Sequence, residues 1–296
     1  MLDTRTILRY NGRVMGVLYL VATPIGNLED VSLRALRILR EVSFIAAEDT
    51  RTTAKLLSRY DIHTPMISFF EHNELVKRDE ILSALESADI ALVSEAGMPA
   101  ISDPGYRLVQ AATAAGASVT VIPGPSALVS ALAVSGLPTD SFVFLGFLPR
   151  RRGPRQRLLA EARAEKRTLI AYEAPHRLVE ALDDILAQCG DRQVVVAGEL
   201  TKMFEEVWRG PVSAALDHFR QKPPRGEYTL VLAGNSGAGE TAWPQSDILA
   251  ALAQELAAGA TRRDAVARVV KASGWARRAV YRLAIRTTPT TSVGTE

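Results

Sequence analysis

The chain has 296 residues, of which 47% are hydrophobic and 23% charged, with a formal net charge of +2 and a single cysteine. That length suits two or three compact domains, and that composition suits a chain able to offset its conformational entropy by burial. The charge is too small for nucleic acid to be held over the whole surface, so any basic surface must be local; Cys189 alone excludes an internal disulfide and argues against a cysteine-based zinc site, as expected of a cytoplasmic protein.

The first long apolar stretch, residues 17–25, contains Pro24 and lies between charged segments. It is too short to span a bilayer and lacks the small-residue cleavage pattern of a secretory signal, so it reads as a buried strand and no membrane attachment is expected. Strands are expected at Val17–Ala22, Ser43–Ala47, Ile90–Val93 and Val119–Ile122. Between them Leu33, Leu36 and Leu39, and then Leu108, Val109 and Ala112, recur at helical spacing. Such alternation predicts a mainly parallel sheet with helices on both faces.

A Gly/Pro turn cluster at residues 136–140 interrupts the pattern, and a second α/β set follows. Its expected strands are Phe142–Phe147, Thr168–Tyr172, Val194–Ala197 and Thr229–Leu232, and its clearest helix carries Leu178, Leu182, Ile185 and Leu186 on one stripe. The fold class is therefore α/β, with two α/β domains of mainly parallel or mixed sheets at residues 16–137 and 138–234. Residues 234–246, rich in Gly and Ser, read as a linker to a basic helical module at 247–286, while 1–15 and 287–296 read as flexible tails.

In open α/β sheets ligands bind beyond the carboxyl ends of the strands. Four unusual loops fall there: residues 23–27 (TPIGN), 48–51 (EDTR), 94–105 (SEAGMPAISDPG) and 123–127 (PGPSA). Each has a plain structural reading: Asp49 suits a helix cap, Asp103-Pro104 suits a helix start with Asp as the cap, and Pro-Gly-Pro-Ser suits a turn. Together at one edge, their Gly and Pro content suits close approach of the backbone to a ligand. The Gly-rich dinucleotide fingerprint, the P-loop and the nucleophile elbow are absent, and the four histidines lack metal spacing.

The stretches TPIGNLEDVSLRAL, EDTRTTAKLL, SEAGMPAISDPG, VIPGPSALVSAL, FVFLGFLPR, YEAPHR, GELTKMFEE and RGEYTLVLAG occur in that order over residues 16–234. In this the chain resembles the tetrapyrrole methylase superfamily and, within it, the ribosomal RNA small-subunit methyltransferase I branch. The resemblance implies S-adenosylmethionine in a cleft between two α/β domains, 2′-O-methylation of a cytidine in 16S ribosomal RNA of the small subunit, and a homodimer. It places the cofactor against Pro24, Gly97, Met98, Pro99, Ile101, Ser126 and Ala127 from the first domain, and Tyr172, Glu173, Gly198 and Leu200 from the second. Glu95 and Met98 stand where the family usually has Asp and Thr.

Methyl transfer to a ribose hydroxyl needs in-line positioning and a nearby proton acceptor. Asp49 and Glu48 are the candidate bases, with Arg51 and Lys202 as candidates for orienting the substrate; no metal is called for. RNA contacts are expected from Arg150, Arg151 and Arg152 with Arg155 and Arg157, and from the C-terminal segment, which holds eight basic residues between Arg262 and Arg286 against one acid, Asp264. Val266, Val269 and Val270, a turn at Ser273-Gly274-Trp275, then Val280 and Leu283, suggest a helix-turn-helix whose Arg277 and Arg278 meet phosphates. Two other readings remain: methylation of a corrin or sirohaem precursor, and a nucleic-acid-binding regulator without catalysis.

Overall fold

The structure, a computed structural model, describes residues 9, 10, 13–235, 243, 245–273, 275 and 277–286. Most of the expected tails, the middle of the expected linker and Gly274 of the expected turn lie outside these residues. Within the expected N-terminal tail, β1 (Arg9–Tyr10) pairs antiparallel with β2 (Arg13–Val14).

The first half runs β3 (Val17–Val21), α1 (Leu33–Glu41), β4 (Phe44–Ala47), α2 (Thr50–Arg59), β5 (Met66–Ser68), α3 (Glu74–Ala84), β6 (Ile90–Val93), α4 (Tyr106–Ala114), β7 (Ser118–Ile122) and α5 (Ala127–Ser135). Its sheet has the order β5-β4-β6-β3-β7, all parallel, with Ala91 of β6 opposite Tyr19 on one side and Ile45 on the other. Side chains alternate across a strand, so β6 feeds two cores. Ala91 and Val93 join Leu36 and Leu39 of α1, while Ile90 and Leu92 join Ile81 of α3 and Leu108 of α4. Helix α1 starts where Ser32 accepts a hydrogen bond from the Ala35 amide at 3.1 Å. Because every strand points the same way, the loops after β3, β4, β6 and β7 gather at one edge.

The second half runs β8 (Phe142–Phe147), α6 (Arg152–Glu161), β9 (Thr168–Glu173), α7 (Leu178–Cys189), β10 (Gln193–Gly198), β11 (Glu206–Pro211), α8 (Val212–Gln221) and β12 (Tyr228–Leu232). Its sheet, β11-β10-β12-β9-β8, is mixed: only β8 and β9 run parallel. The β10–β11 hairpin returns without a crossover helix, which is why this sheet departs from the parallel pattern. Helices α6, α7 and α8 cover one face, burying Leu159, Leu182 and Phe219. The other face is covered by α5, whose Ala131 and Leu132 pack against Ile170, Val195, Ala197 and Val231. A helix from the first half thus serves as the second sheet's other layer, and both sheets belong to one compact unit ending at residue 233 and omitting 163–167.

The smaller unit comprises residues 163–167 and the chain from 234 onward. Helices α9 (Gln245–Ala257), α10 (Arg262–Ser273) and α11 (Arg277–Arg286) bury Ile248, Leu252, Val266, Val269, Val280 and Leu283 in a core of their own. The Trp275 indole donates to the Trp243 carbonyl at 3.1 Å. Arg277, Arg278, Tyr281 and Arg282 of α11 are exposed.

One expected RNA contact is corrected here. Arg155 has a side chain only 1% exposed, with its Nε 2.7 Å from Asp184 Oδ2, itself fully buried. Because α6 begins at Arg152, residue 155 falls one turn on, facing inward; the run of arginines conceals this in the sequence. Burial pushes the Asp184 carboxyl up, but hydrogen bonds from Gln156, Arg155 and Arg152 outweigh it and hold the group below its usual range. Arg152 is largely exposed yet also reaches Asp183 and Asp184; Arg150 and Arg151 stay exposed. Removing one partner of a buried pair strands the other charge, so Arg155→Ala should lower unfolding free energy by about 3–5 kcal/mol in urea denaturation. RNA affinity per folded molecule should not change; a loss of affinity at unchanged stability would restore Arg155 to the RNA surface.

A candidate active-site cavity

The loops of the two halves meet at a cavity of about 750 Å³. On the first-half side, the 23–27 and 94–97 loops are tied together by a two-way backbone bridge. The Thr23 amide donates to the Gly97 carbonyl at 2.8 Å and the Gly97 amide returns a bond at 3.0 Å. The Ser94 hydroxyl adds a third bond to the Gly97 carbonyl at 3.2 Å. Gly97 has φ of +89°, a region that side chains rarely tolerate. Ala100 and Ser102, neither of them glycine, also hold positive φ. Backbone kept in such regions has to be held there by its surroundings.

On the second-half side, the loop between β10 and β11 carries positive φ at Glu199 and Thr201. It is braced by the Thr201 amide donating to Glu205 Oε2 at 2.7 Å and by Lys202 Nζ on Glu199 Oε1 at 2.8 Å. The two sides touch: the Asn27 amide donates to Thr201 Oγ1 at 3.0 Å. A Cβ on Gly26 would lie 2.5 Å from Lys202 Cγ, 2.8 Å from Thr201 Oγ1 and 3.0 Å from the Leu200 carbonyl oxygen. Tyr172, at the end of β9, accepts a bond from the Leu128 amide at 3.1 Å and packs edge-on against Phe144.

Of the residues expected around a cofactor, Pro24, Gly97, Met98, Ile101, Ser126, Ala127, Tyr172, Glu173 and Leu200 line this cavity, and Pro99 and Gly198 do not. Of the four catalytic candidates, Glu48 and Lys202 line it, whereas Asp49 and Arg51 do not. Asp49 caps α2, accepting bonds from the Arg51 and Thr52 amides, and its Oδ2 lies 2.9 Å from Arg51 Nη2. Hydrogen bonds from the Arg51 side chain, then from those two amides, hold its carboxyl down at about 2. Here the plain helix-cap reading describes the contacts that Asp49 makes.

The wall is rich in acid. Glu48, Glu95, Asp103, Glu173, Glu199 and Glu227 face it, against two lysines, Lys55 and Lys202. Glu48 is pushed up mainly by burial, with a backbone hydrogen bond from Glu95 opposing. Asp103 is pushed up to about 7, first by burial and next by the nearby Glu48 carboxylate, with Glu95 and Glu227 adding to it. The plain structural reading of this loop, set beside its place at the ligand edge, makes Asp103 the cap of a helix. The structure instead starts α4 at Tyr106 after Gly105, which leaves Asp103 in the wall. Lys55, Phe147 and Glu227 also went unremarked; they come from a helix face, a strand end and a turn with no unusual composition.

Glu173 provides the sharpest test of the cofactor that the resemblance implies. Its side chain is fully buried; Oε1 takes the Ala174 amide and pairs with Arg177, while Oε2 has no partner among the described residues. A buried acceptor left open is costly unless a donor fills it. S-Adenosylmethionine brings ammonium and hydroxyl donors and a sulfonium cation, which suit both this oxygen and the acidic wall. The residues present therefore fit the group.

A family model described as Tetrapyrrole (Corrin/Porphyrin) Methylases matches residues 17–216. A protein of Thermotoga maritima named "Ribosomal RNA small subunit methyltransferase I" is 52% identical over 221 residues, 74% of this chain and 99% of its own length. One of the same name from Halalkalibacterium halodurans is 46% identical over 272 residues, 90% of this chain and 94% of its own. The crystal structure of uroporphyrin-III-C-methyltransferase from Thermus thermophilus superposes with a TM-score of 0.54 at 20% identity, covering 74% of this chain and 94% of that one. That likeness concerns the fold.

The contact at Gly26 generates a prediction. A methyl group there must push the 23–27 loop off the Lys202 and Thr201 side chains and the Leu200 carbonyl, opening the cavity without touching either core. Gly26→Ala should weaken S-adenosylmethionine binding by about tenfold in calorimetry, an energy of roughly 1.4 kcal/mol, and leave the melting temperature nearly unchanged. Wild-type affinity in the variant would show that the closed loops do not shape the binding site.

Proposed function

Because the chain belongs to the tetrapyrrole (corrin/porphyrin) methylase family, we propose that it is a methyltransferase moving a methyl group from S-adenosylmethionine to the 2′-hydroxyl of a cytidine in the 16S RNA of the small ribosomal subunit. Its reaction class is S-adenosylmethionine-dependent methylation of ribosomal RNA, in keeping with relatives named for that activity across most of the chain. The observation that carries the reading is the acidic, loop-bounded cavity at the sheet edges, with a buried Glu173 oxygen that has no partner among the described residues. The reading includes a homodimer working in the cytoplasm; among the described residues no helix is long and apolar enough to cross a membrane.

The cofactor supplies a methyl carbon already activated by a sulfonium, so the protein's part is positioning and exclusion of water. Backbone groups of Gly97, Met98 and Ala127 offer contacts that need no side chain, and Tyr172 and Leu200 close the wall from the second half. Lys202, shared between Glu199 at 2.8 Å and Glu227 at 3.8 Å, sits where a substrate phosphate can exchange for a carboxylate. Lys55, exposed on α2 and also at the wall, offers a second cation. The smaller unit supplies the wider grip, with Arg277, Arg278 and Arg282 exposed on α11 around Tyr281.

Incubating the protein with methyl-labelled S-adenosylmethionine and small ribosomal subunits, then digesting the RNA to nucleosides, tests the proposal. The expected product is 2′-O-methylcytidine. A methyl on a base, or labelling of a tetrapyrrole precursor in place of RNA, would overturn it. The grip has its own test. Arg277→Ala with Arg278→Ala should weaken subunit binding, and the log–log salt dependence should flatten by roughly 1.5 if each arginine neutralises one phosphate. The melting curve and the single-turnover rate at saturation should stay at wild type. An unchanged salt slope would remove α11 from the RNA surface.

A further inference from the structure

We propose that Asp103 is the group that takes the proton from the attacking ribose hydroxyl, an assignment that rests on the ribose-methylation reading above. Asp103 lies in the cavity wall, half-buried, on a loop fixed by unusual backbone. Ala100 and Ser102 before it hold φ of +68° and +64°, and Gly105 after it holds +127°. A side chain at Gly105 would place its Cβ 2.6 Å from Leu92 Cδ2, so the chain must make this turn with glycine. The Gly105 amide donates to the buried Glu74 carboxylate at 3.3 Å, which ties the turn to α3. So much local constraint on a loop that starts no helix at Asp103 is the kind found where a side chain must be aimed.

Of the other acids of the site, Glu95 and Glu227 are exposed to solvent, and the rest are engaged. Asp49 is held by two amides and a guanidinium and is outside the wall. Glu48 Oε2 takes the Glu95 amide at 3.0 Å. Glu173 carries the Ala174 amide and Arg177, and Glu199 carries Lys202 and the Glu227 amide. Asp103 has the Ser94 hydroxyl as its hydrogen-bonding neighbour, and the groups that act on it are acids: Glu48 at the end of β4, Glu95 after β6 and Glu227 before β12. Tyr172 at the end of β9 feels its charge in turn, and Lys55 and Lys202 line the same cavity. With its carboxyl pushed up to about 7, Asp103 matches the working range of a general base, whereas Asp49 at about 2 holds a proton too weakly. In the balanced step the ribose oxygen bonds to the methyl carbon as its O–H bond breaks. The proton passes to an Asp103 oxygen, and the carbon–sulfur electron pair stays on sulfur, which leaves as a neutral thioether.

The test is single-turnover methyl transfer to small subunits across pH for wild type, Asp103→Asn and Ser94→Ala, with calorimetry of S-adenosylmethionine binding and melting curves. The full chain is used throughout. For wild type the rate at limiting cofactor should rise with pH and level off, with its inflection near the free-enzyme value of about 7; a bound sulfonium should move the inflection down at saturation. Asp103→Asn should be slower by about a hundredfold, with the inflection gone and cofactor affinity kept within about threefold. Ser94→Ala, which removes a hydrogen bond that stabilises the carboxylate, should shift the inflection upward. An Asn variant at nearly wild-type rate overturns the assignment. So does one that loses cofactor affinity about tenfold but keeps its saturated rate, since that is an anchor rather than a base. If Asp103→Asn fails to fold, an unmoved inflection in Ser94→Ala overturns the assignment instead. No transfer by the wild type overturns the substrate reading itself, and the base with it, while the other failures leave that reading standing.

Discussion

The approach of the 23–27 loop to the 199–202 loop leaves no room for a side chain at residue 26. A Cβ there would overlap Thr201 Oγ1 and crowd the Leu200 carbonyl, and the neighbouring Asn27 amide is already bonded to Thr201. This contact closes one side of the cavity and fixes how the edges of the two sheets face each other. It is set up from below by α5, which begins at the ligand edge of the first sheet and then buries Ala131 and Leu132 on the second. A close-packed interface of this kind transmits small displacements rather than absorbing them. The cavity is therefore as well defined as the cores that carry it.

Once the edges are fixed, the electrostatics follow. Parallel strands deliver Glu48, Glu95 and Asp103 to the same end of the first sheet, and the second sheet adds Glu173, Glu199 and Glu227. Carboxylates crowded into a partly desolvated space raise one another's proton affinity, and the least compensated is raised most. Lys202 compensates Glu199, and Arg177 compensates Glu173; Asp103, raised first by burial and next by Glu48, forms no ion pair among the described residues. A wall with six carboxylates and two lysines favours a cationic ligand and offers a phosphate Lys55 and Lys202, so we propose that most of the RNA chain is held from outside. The exposed arginines of α11 and Lys55 at the rim suit that division of labour.

Much of the fold was legible because strands write themselves as apolar runs: IALV at residues 90–93 and FVFLGF at 142–147 match the observed bounds. β5 and β11 were not. The first has three residues, and the second, EVWRGP, carries charge, Gly and Pro as befits an edge. The second sheet's antiparallel pairs were hidden too, since a hairpin without a crossover helix has no distinct periodicity. The loops of the site stood out by their Gly and Pro, and about half of their residues line the cavity. Roles within a loop were harder. Asp49 and Asp103 both read as caps; which of them caps depends on backbone angles at Ala100, Ser102 and Gly105 that composition does not reveal. Arg155 was concealed by the opposite effect, a basic run in which helical phase alone decides which arginine turns inward.

We propose that the cofactor is gripped by loops of both halves at once. Hydrogen–deuterium exchange with and without S-adenosylmethionine measures this directly, because amides that contact a ligand or are immobilised by it exchange more slowly. Ligand-dependent protection is expected at residues 23–27, 94–105 and 124–128 together with 172–173 and 198–202, and none in α9 to α11. Protection confined to one of the two halves, with the loops of the other exchanging as in the free protein, would contradict it.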